Sequence, residues 1–473
     1  MQDRGARHAI VVGGSIGGML AARVLADHFD QVTVLDRDRL PEGGENRPGV
    51  PQARHLHFFL KRGLMIVEEL FPGVKADLLA AGSVLLDQGK DFRILYRSGW
   101  SPRVACDLEI CAFTRPLLES TIRRHLLRDP KIHVTDGVEV TGLVMDEAGS
   151  RVEGVRMRPR RREGTGAGEE TVLRADLVVD VSGRGSRAPE WLWELGYPAP
   201  KETVVDAFWG YATRIYEPVQ GFSADWKSLF ILNRPPHQPR AGIIQPIEGN
   251  RWIVTVAGVM KDYPPTDDQG FLKFAKSLSS PELYRAIANA RPMTRVWGYR
   301  QTENRLREYA AMPAGFVTMG DAVCSFNPVY ALGMTVTGLA ALELRDGLRD
   351  GDGRLDSRAF QKRISKLVAA PWALTTGEDM RWPMTEGGEK TLKVRFMHWY
   401  LEQVIQLIPK SEEVFRRFQE VNHMLKPPTA LFHPAIAGRA LRQALGFYNP
   451  KPLPKPEASR TPKPAPSAVA IRH

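Results

Sequence analysis

The sequence is poor in cysteine and has no long apolar run. Its 473 residues include only three cysteines, Cys106, Cys111 and Cys324, and their irregular spacing excludes a disulfide framework or a zinc site. Even apolar-rich segments, such as residues 9–12 and 177–181, are far shorter than the roughly 18 residues of a membrane span. No secretory signal pattern precedes the first strand-like segment. We therefore expect a metal-free protein with no transmembrane segment, located in the cytoplasm.

Nucleic-acid binding is also unexpected, although the formal net charge is +11. The basic residues are scattered apart from a run at 158–162, and no aromatic-basic stripe or helix-turn-helix pattern accompanies them. The length and the 43% hydrophobic content predict an enzyme-sized globular protein with two or three domains.

Strand and helix patterns alternate in the first half of the chain, and helical periodicity dominates the last third. Segments with β character lie at 208–216, 228–232, 242–247 and 252–256, with Gly249 and Asn250 as a hairpin turn. We expect them to form an antiparallel sheet. Helices are expected from 357 to 447, interrupted by prolines at 371, 383, 409, 427, 428 and 434. Residues 449–473 are rich in Pro and Lys and predict a disordered extension.

A strand, a glycine-rich turn and a helix follow one another near the N-terminus. This order brings backbone N–H groups and a helix N-terminus onto a pyrophosphate. The next strand ends in Asp36, followed by Arg37, at the distance expected for a carboxylate that binds ribose hydroxyls. A tight turn without a dinucleotide is the alternative, and the motif leaves NAD and FAD both open. The turn consists of Gly13, Gly14, Ser15, Ile16, Gly17 and Gly18, with Ser15 in place of the middle glycine of G-x-G-x-x-G.

A second signature lies about three hundred residues further on. A predicted strand ends in Gly320-Asp321, and a loop with Pro328 leads to Gly333, Met334 and a helix. An Asp at a strand end can bind a polyol hydroxyl. The N–H groups of Gly333 and Met334 can stabilise negative charge on a reduced isoalloxazine ring.

With these two segments the chain resembles the FAD-dependent monooxygenase superfamily of aromatic hydroxylases and squalene epoxidase-like enzymes, over roughly its first 350 residues. More narrowly, it resembles the bacterial flavin epoxidases of polyether antibiotic pathways and their uncharacterised relatives. The segments that carry the narrower resemblance are 49–57, 99–100, 114–119, 180–186, 251–255 and 320–330.

The resemblance implies an α/β fold with a Rossmann-type FAD-binding domain of the glutathione-reductase kind, formed by residues 1–200 and 300–350. An antiparallel β-sheet substrate domain would be inserted at 201–299. A helical C-terminal region would span 351–448, before the tail of 449–473.

The resemblance also implies roles for single residues. Arg115 would reach the FAD phosphates or ribityl chain, and the backbone of Val138 would contact the adenine. Arg54 or its neighbours His55 and His57 would lie near the pyrophosphate or the flavin. Pro328, Gly333 and Met334 would lie beside the isoalloxazine. Gly183 belongs to a strand-end loop that carries adjacent Asp-Gly in related hydroxylases, whereas here two residues separate Asp180 from Gly183. Ala331 occupies a position at which relatives commonly have glycine.

The implied reaction is a flavin monooxygenation. NAD(P)H would reduce the FAD, O2 would add to flavin C4a, and one oxygen atom would pass to an alkene or electron-rich ring of a small apolar substrate, expected to be a secondary metabolite. Epoxidation needs no dedicated acid or base, so no catalytic side chain is assigned. Aromatic hydroxylation would need a base near the substrate, and the sequence does not indicate which residue this base is.

Three alternatives stay open at this stage. A FAD-dependent reductase would saturate isoprenoid double bonds. A halogenase is disfavoured because Trp191 and Trp193 are followed by Glu-Leu-Gly rather than completing W-x-W-x-I-P. A non-catalytic protein could bind a membrane surface through an amphipathic segment at 394–408, but packing explains that segment equally well, and we expect little membrane binding.

Overall fold

The computed structural model describes residues 6–160, 168–451 and 453. The predicted extension of 449–473 therefore lies outside the described residues, apart from 449–451 and 453, as do residues 161 and 162 of the basic run. The strands, in chain order, are β1 (His8–Val12), β2 (Gln31–Asp36), β3 (Val84–Asp87), β4 (Phe92–Tyr96), β5 (Gly99–Trp100), β6 (Glu109–Ala112), β7 (Ile132–Asp136), β8 (Val138–Met145), β9 (Val152–Pro159), β10 (Thr171–Arg174), β11 (Leu177–Asp180), β12 (Lys201–Val205), β13 (Gly210–Glu217), β14 (Ser228–Ile231), β15 (Arg240–Ile247), β16 (Arg251–Gly258), β17 (Arg291–Pro292), β18 (Trp297–Tyr299), β19 (Asn304–Glu308), β20 (Phe316–Thr318) and β21 (Cys324–Ser325).

The helices pack around two main sheets. They are α1 (Ile16–Ala26), α2 (Lys61–Leu70), α3 (Val74–Ala80), α4 (Arg115–Leu126), α5 (Ala188–Glu194), α6 (Asp268–Lys276), α7 (Glu282–Ile287), α8 (Gly333–Asp350), α9 (Ser357–Asp379), α10 (Leu392–Leu407), α11 (Glu412–Asn422) and α12 (Pro434–Ala444). Short 3-10 turns are Pro51–Arg54, Gly320–Ala322, Pro328–Tyr330, Ile408–Lys410 and Pro428–Phe432.

A five-stranded parallel sheet forms the centre of the molecule, in the order β20-β11-β1-β2-β7. Its inner strands are short apolar runs, and Ala9, Ile10 and Val11 of β1 are fully buried. Parallel strands are covered on both faces, which explains why they read as continuous rather than alternating apolar segments. The carboxyl ends of β1, β11 and β20 lead directly into the glycine-rich turn, the 182–185 loop and the Gly320 turn. The sheet thus brings together two signatures that are distant in sequence.

A second, eight-stranded sheet has the order β17-β13-β16-β15-β14-β4-β5, with β18 also paired to β13. Gly249 and Asn250 both have positive φ, at 75° and 52°, and form the predicted turn between β15 and β16. The prediction of an antiparallel sheet from residues 201–299 alone was incomplete. β4 and β5 also join the sheet, and β14 pairs with β4 in parallel. The division of the chain into domains stays a prediction.

The last third of the described chain is helical, as predicted, but one proline does not act as expected. Pro371 lies buried inside α9 and does not interrupt it. The other five prolines lie beyond α9: Pro383 in a turn, Pro409 and Pro428 in 3-10 turns, Pro427 directly before the second of these, and Pro434 at the first position of α12, where a missing N–H costs little. Among the described residues, no helix is both long and apolar enough to cross a bilayer.

Candidate functional site

One cavity of about 1610 Å³ extends from the glycine-rich turn to the C-terminal helices. Its floor is formed by the carboxyl end of the central sheet and its roof by the eight-stranded sheet. The N-termini of α1 and α8 open into one side, and α9 and α10 close the other. This location, at the carboxyl edge of a parallel sheet and between two sheets, is typical of a ligand site in α/β proteins.

The glycine-rich turn packs closely against the loop that follows β11. Gly13 has φ 106°, and a Cβ there would lie 2.7 Å from the Val181 carbonyl oxygen, so no other residue fits. Ser15 begins α1 without capping it through its side chain. Its hydroxyl instead accepts a hydrogen bond from Nη2 of Arg115 at 2.9 Å. The first N–H groups of α1 thus keep their donor capacity beside the buried Arg115 guanidinium.

Asp36 is held beneath this turn by an unexpected buried arginine. Its Oδ2 accepts from the Gly14 N–H at 2.7 Å, and both carboxylate oxygens lie within 3.2 Å of Nη1 of Arg47. Arg47 also pairs with Asp38 and Glu119. Burial raises the pKa of Asp36, and the Arg47 charge opposes that shift. Asp36 therefore positions the turn through protein contacts, and its predicted contact with ribose hydroxyls stays a prediction.

The second signature forms the opposite rim of the cavity. Asp321 faces the cavity, where burial raises the pKa of its carboxyl and the nearby cations Arg184 and Arg115 oppose the rise. Ala331 adopts the left-handed conformation, φ 56°, directly before α8. Leu332 at the start of α8 makes no side-chain cap, so this helix also presents uncapped N–H groups to the cavity.

A buried carboxylate behind this rim was not predicted. Asp379, at the C-terminal end of α9, is fully buried, and its oxygens accept hydrogen bonds from four side chains. The donors and distances are Tyr330 Oη at 2.7 Å, Asn304 Nδ2 at 2.6 Å, Trp209 Nε1 at 3.0 Å and Asn327 Nδ2 at 3.2 Å. Burial raises the pKa of Asp379 to about 6. Tyr330 and Trp209 also line the cavity, so they connect it to this carboxylate.

An aromatic and histidine group lines the roof. Tyr211 stacks on Tyr299 with ring centroids 6.2 Å apart, and the His55 ring lies 5.4 Å from that of Tyr299. His55 Nδ1 is 2.8 Å from the Thr213 hydroxyl, and burial lowers the pKa of His55 to about 4. His57 Nδ1 lies 3.0 Å from the His55 carbonyl oxygen, and burial with the Arg115 charge lowers its pKa to about 3. Both imidazoles are therefore neutral near pH 7.

The cavity brings together many of the predicted site residues, though not all. Those that line it are Ser15, Ile16, Gly17, Arg37, His55, Arg115, Gly183, Asp321, Pro328, Gly333 and Met334. Those that do not are Gly13, Gly14, Gly18, Asp36, Arg54, Val138 and Gly320. Trp209 also lines the cavity, whereas Trp252 packs in a separate core and Trp100 stacks on Arg93. Cys324 is buried in the main core, where burial raises the pKa of its thiol.

No protein-family model matches this chain. Protein Rv3254 of Mycobacterium tuberculosis is 35% identical to it over 354 residues, which cover 72% of this chain and 73% of that protein. Among solved structures, the flavin-dependent brominase Bmp2 is similar with a TM-score of 0.65 and 15% identity, over 93% of this chain and 100% of that chain. PqsL of Pseudomonas aeruginosa, named a probable FAD-dependent monooxygenase, is similar with a TM-score of 0.58 and 14% identity, over 87% and 98%. At these identities the two structures show a shared fold.

Proposed function

This chain belongs to the same family as Protein Rv3254, and we propose that it is an FAD-dependent monooxygenase that uses NAD(P)H and O2 to oxygenate a small apolar substrate. The observation that carries this proposal is one cavity of about 1610 Å³, which joins two uncapped helix N-termini and a buried arginine to an apolar chamber. The mixed α/β fold, shared with flavin-dependent enzymes, supports it. A cytoplasmic location stays a prediction.

The residues present fit an elongated dinucleotide. Uncapped N–H groups at the start of α1, together with the Arg115 guanidinium, suit a pyrophosphate, because both supply hydrogen-bond donors and positive potential. A Cβ at Gly13 would clash with Val181, and one at Gly17 with Thr337 and Val181, so glycine at these positions lets the turn pack closely against the β11 loop and α8. Asp321, facing the cavity between these two helix ends, suits a polyol hydroxyl. We assign Ser15, Ile16, Gly17 and Arg115 to the pyrophosphate and Asp321 to the ribityl chain.

The start of α8 would hold the reactive end of the cofactor. When bound, FAD would supply the two-electron redox chemistry and the activation of O2. The N–H groups of Gly333 and Met334, aligned with the positive end of an 18-residue helix, would stabilise negative charge there. Pro328 and Ala331 would fix the loop that aims this helix end.

The remaining cavity would bind the substrate and exclude water. Its walls near α9 and α10 are mostly aliphatic and aromatic, which favours an apolar substrate. The apolar wall residues include Phe230, Leu232, Leu374, Met397, Leu401 and Ile405. Tyr330 adds a polar side chain to the lining of the cavity. Its hydroxyl donates a hydrogen bond to Asp379, so the hydroxyl oxygen can still accept a hydrogen bond from the substrate. The Tyr330–Asp379 pair thus supplies the proton acceptor that hydroxylation of a phenol or enol would need.

Oxygen transfer is favoured over halogenation, although flavin-dependent halogenases share the fold. Trp191 is buried in the main core and Trp193 is 70% exposed on the short helix α5. Neither residue lines the cavity, so neither is placed as a halogenase tryptophan motif would need. An isoprenoid reductase stays the alternative within flavin chemistry.

Oxygen uptake decides between these functions. The purified full chain is expected to carry FAD and to consume O2 with NADPH when a panel of terpenoid alkenes and phenols is supplied. With ¹⁸O2, mass spectrometry is expected to show one labelled oxygen atom in the product. Product formation without O2 uptake would identify a reductase, and a strict requirement for bromide or chloride would identify a halogenase. A purified chain with no affinity for FAD would refute the proposal.

A further inference from the structure

The outer face of α10 carries an exposed apolar stripe. Leu392, Phe396 and Trp399 follow the i, i+4, i+7 spacing of one helix face. Their exposed fractions are 82%, 52% and 43%. Large apolar side chains that are exposed singly need no explanation, but a contiguous stripe is typical of an interaction surface.

Ring contacts extend this stripe into a patch. Phe396 contacts Trp399 with centroids 5.8 Å apart and stacks on Tyr400 at 6.3 Å. Tyr400 in turn stacks on Phe432, which is 37% exposed, with centroids 4.3 Å apart. We call Leu392, Phe396, Trp399 and Phe432 the aromatic patch.

Cations border the aromatic patch. Lys390, Lys393 and Arg395 are exposed, and none has an ion-pair partner within residues 6–160 and 168–451. At about 100° per residue, Lys393 and Arg395 lie on either side of the apolar stripe. Glu389 offsets one of the three charges, which leaves residues 389–399 net positive. An aromatic-aliphatic stripe flanked by Lys and Arg is the pattern of a helix that lies in a membrane interface.

The opposite face of the same helix forms a wall of the cavity. Met397, Leu401 and Ile405 line it, about half a helical turn away from the stripe. Phe432 contributes to both surfaces, since it is part of the aromatic patch and lines the cavity. Only the thickness of α10 therefore separates the cavity from whatever covers the patch.

The charge pattern decides between the occupants that would cover this patch. In a twofold pair of chains the same patch meets itself, so the basic border of one copy would face that of the other without compensation. An anionic bilayer complements both the apolar side chains of the patch and its basic border, because the lipid interface accepts the apolar side chains and the anionic headgroups attract the cations. We propose that the aromatic patch docks this protein on anionic lipid bilayers, and that the apolar substrate enters the cavity from the bilayer beside α10. The entry route rests on the proposed function, whereas docking does not.

This proposal differs from what the sequence favoured. Residues 394–408 fit packing and membrane binding equally well in sequence. The structure separates them: the packed face of α10 holds Tyr400, Val404 and Leu407, while the aromatic patch is left outside.

Vesicle flotation with the full purified chain, in buffer with FAD in excess, tests the docking. The vesicles are phosphatidylcholine alone, or phosphatidylcholine in which phosphatidylglycerol replaces about a third of the lipid. The wild type is expected to float with the anionic vesicles. The double variant F396S/W399S is expected to lose at least about tenfold in partitioning. Lys393→Glu with Arg395→Glu is expected to lose about tenfold on anionic vesicles only.

Trp193→Ser is the matched control, because Trp193 is an exposed tryptophan on α5, a helix that neither belongs to the aromatic patch nor lines the cavity. It should float as the wild type does. Bound FAD and the circular dichroism spectrum should be the same in all variants, since each change replaces an exposed side chain. Three results would overturn the proposal: a wild type that floats with neither vesicle, flotation that survives F396S/W399S, or a lipid-free dimer that F396S/W399S dissociates in sedimentation velocity.

The test separates this inference from the proposed function. A chain that binds FAD and consumes O2 but does not float refutes the docking alone. A chain that floats but has no affinity for FAD refutes the oxygenase alone.

Discussion

The buried Asp379 makes a prediction that can be worked through in numbers. Its carboxylate has no exposed surface, and its partners are four neutral hydrogen-bond donors from three separate segments of the chain. Burial raises its pKa from 3.8 to about 6, while the hydrogen bonds from Tyr330, Asn327, Trp209 and Asn304 lower it. The substitution Asp379→Asn keeps the shape but removes the titration.

The direction in which the free energy of unfolding changes with pH follows from proton linkage. The folded chain binds this proton more tightly than the unfolded chain does, so protonation stabilises the fold. The stabilisation is complete below the unfolded pKa of 3.8 and is lost as the pH rises through about 6. In full it amounts to about 3 kcal/mol. From about pH 8 to about pH 5, the wild type should gain about 1.4 kcal/mol in free energy of unfolding relative to Asp379→Asn.

Urea unfolding of both proteins at the two pH values, followed by tryptophan fluorescence, measures this difference. Infrared difference spectra of wild type and variant should show the carbonyl band of a neutral carboxylic acid that titrates near pH 6. Tyr330→Phe provides an internal check, because loss of its hydrogen bond should move that titration to higher pH. An identical pH response in wild type and Asp379→Asn would refute the reasoning.

Other predictions concern the cofactor site and the glycines. Arg115→Leu should weaken FAD binding by roughly a hundredfold in a fluorescence titration of apoprotein, since a charge-assisted contact is lost; Arg124→Leu, an exposed arginine on the same helix, should bind as the wild type does. Gly18→Ala should abolish FAD binding, because its Cβ would overlap the Gly13 carbonyl oxygen, and a variant with normal affinity would contradict the close approach of α1 to the turn. Gly438→Ala changes a helical site at which no atom lies within 4 Å of the added Cβ. It should instead raise the free energy of unfolding by up to about 1 kcal/mol, and with it the thermal midpoint.

The sequence predicted the local features of this molecule well. The glycine-rich turn, the Gly249-Asn250 turn and the parallel strands around β1 follow from short-range pattern and backbone sterics. The strand pairing of β4 could not be predicted because it depends on contacts between distant segments. β4 pairs with β14 across more than a hundred residues, and no pattern in residues 92–96 indicates which sheet they join.

The candidate site shows the same division. Arg115 and Asp321 belong to recognisable segments, and both line the cavity. Arg47 and Asp379 belong to no sequence motif. Their roles depend on hydrogen-bond and ion-pair partners that are distant in sequence and come together only in the fold. Pro371 illustrates the converse, since a strong local preference against helix is overridden where packing buries the residue.

The contribution of α9 and α10 to the cavity also has a consequence for biosynthesis. The glycine-rich turn leaves the ribosome first, but Asp379 and the α10 wall are made only after most of the chain has emerged. Until then the cavity lacks one side, and the apolar lining that should exclude water is open to it. The residues proposed to hold FAD, from the glycine-rich turn to the start of α8, are thus made before α9 and α10, whereas a closed chamber exists only once synthesis has passed α10.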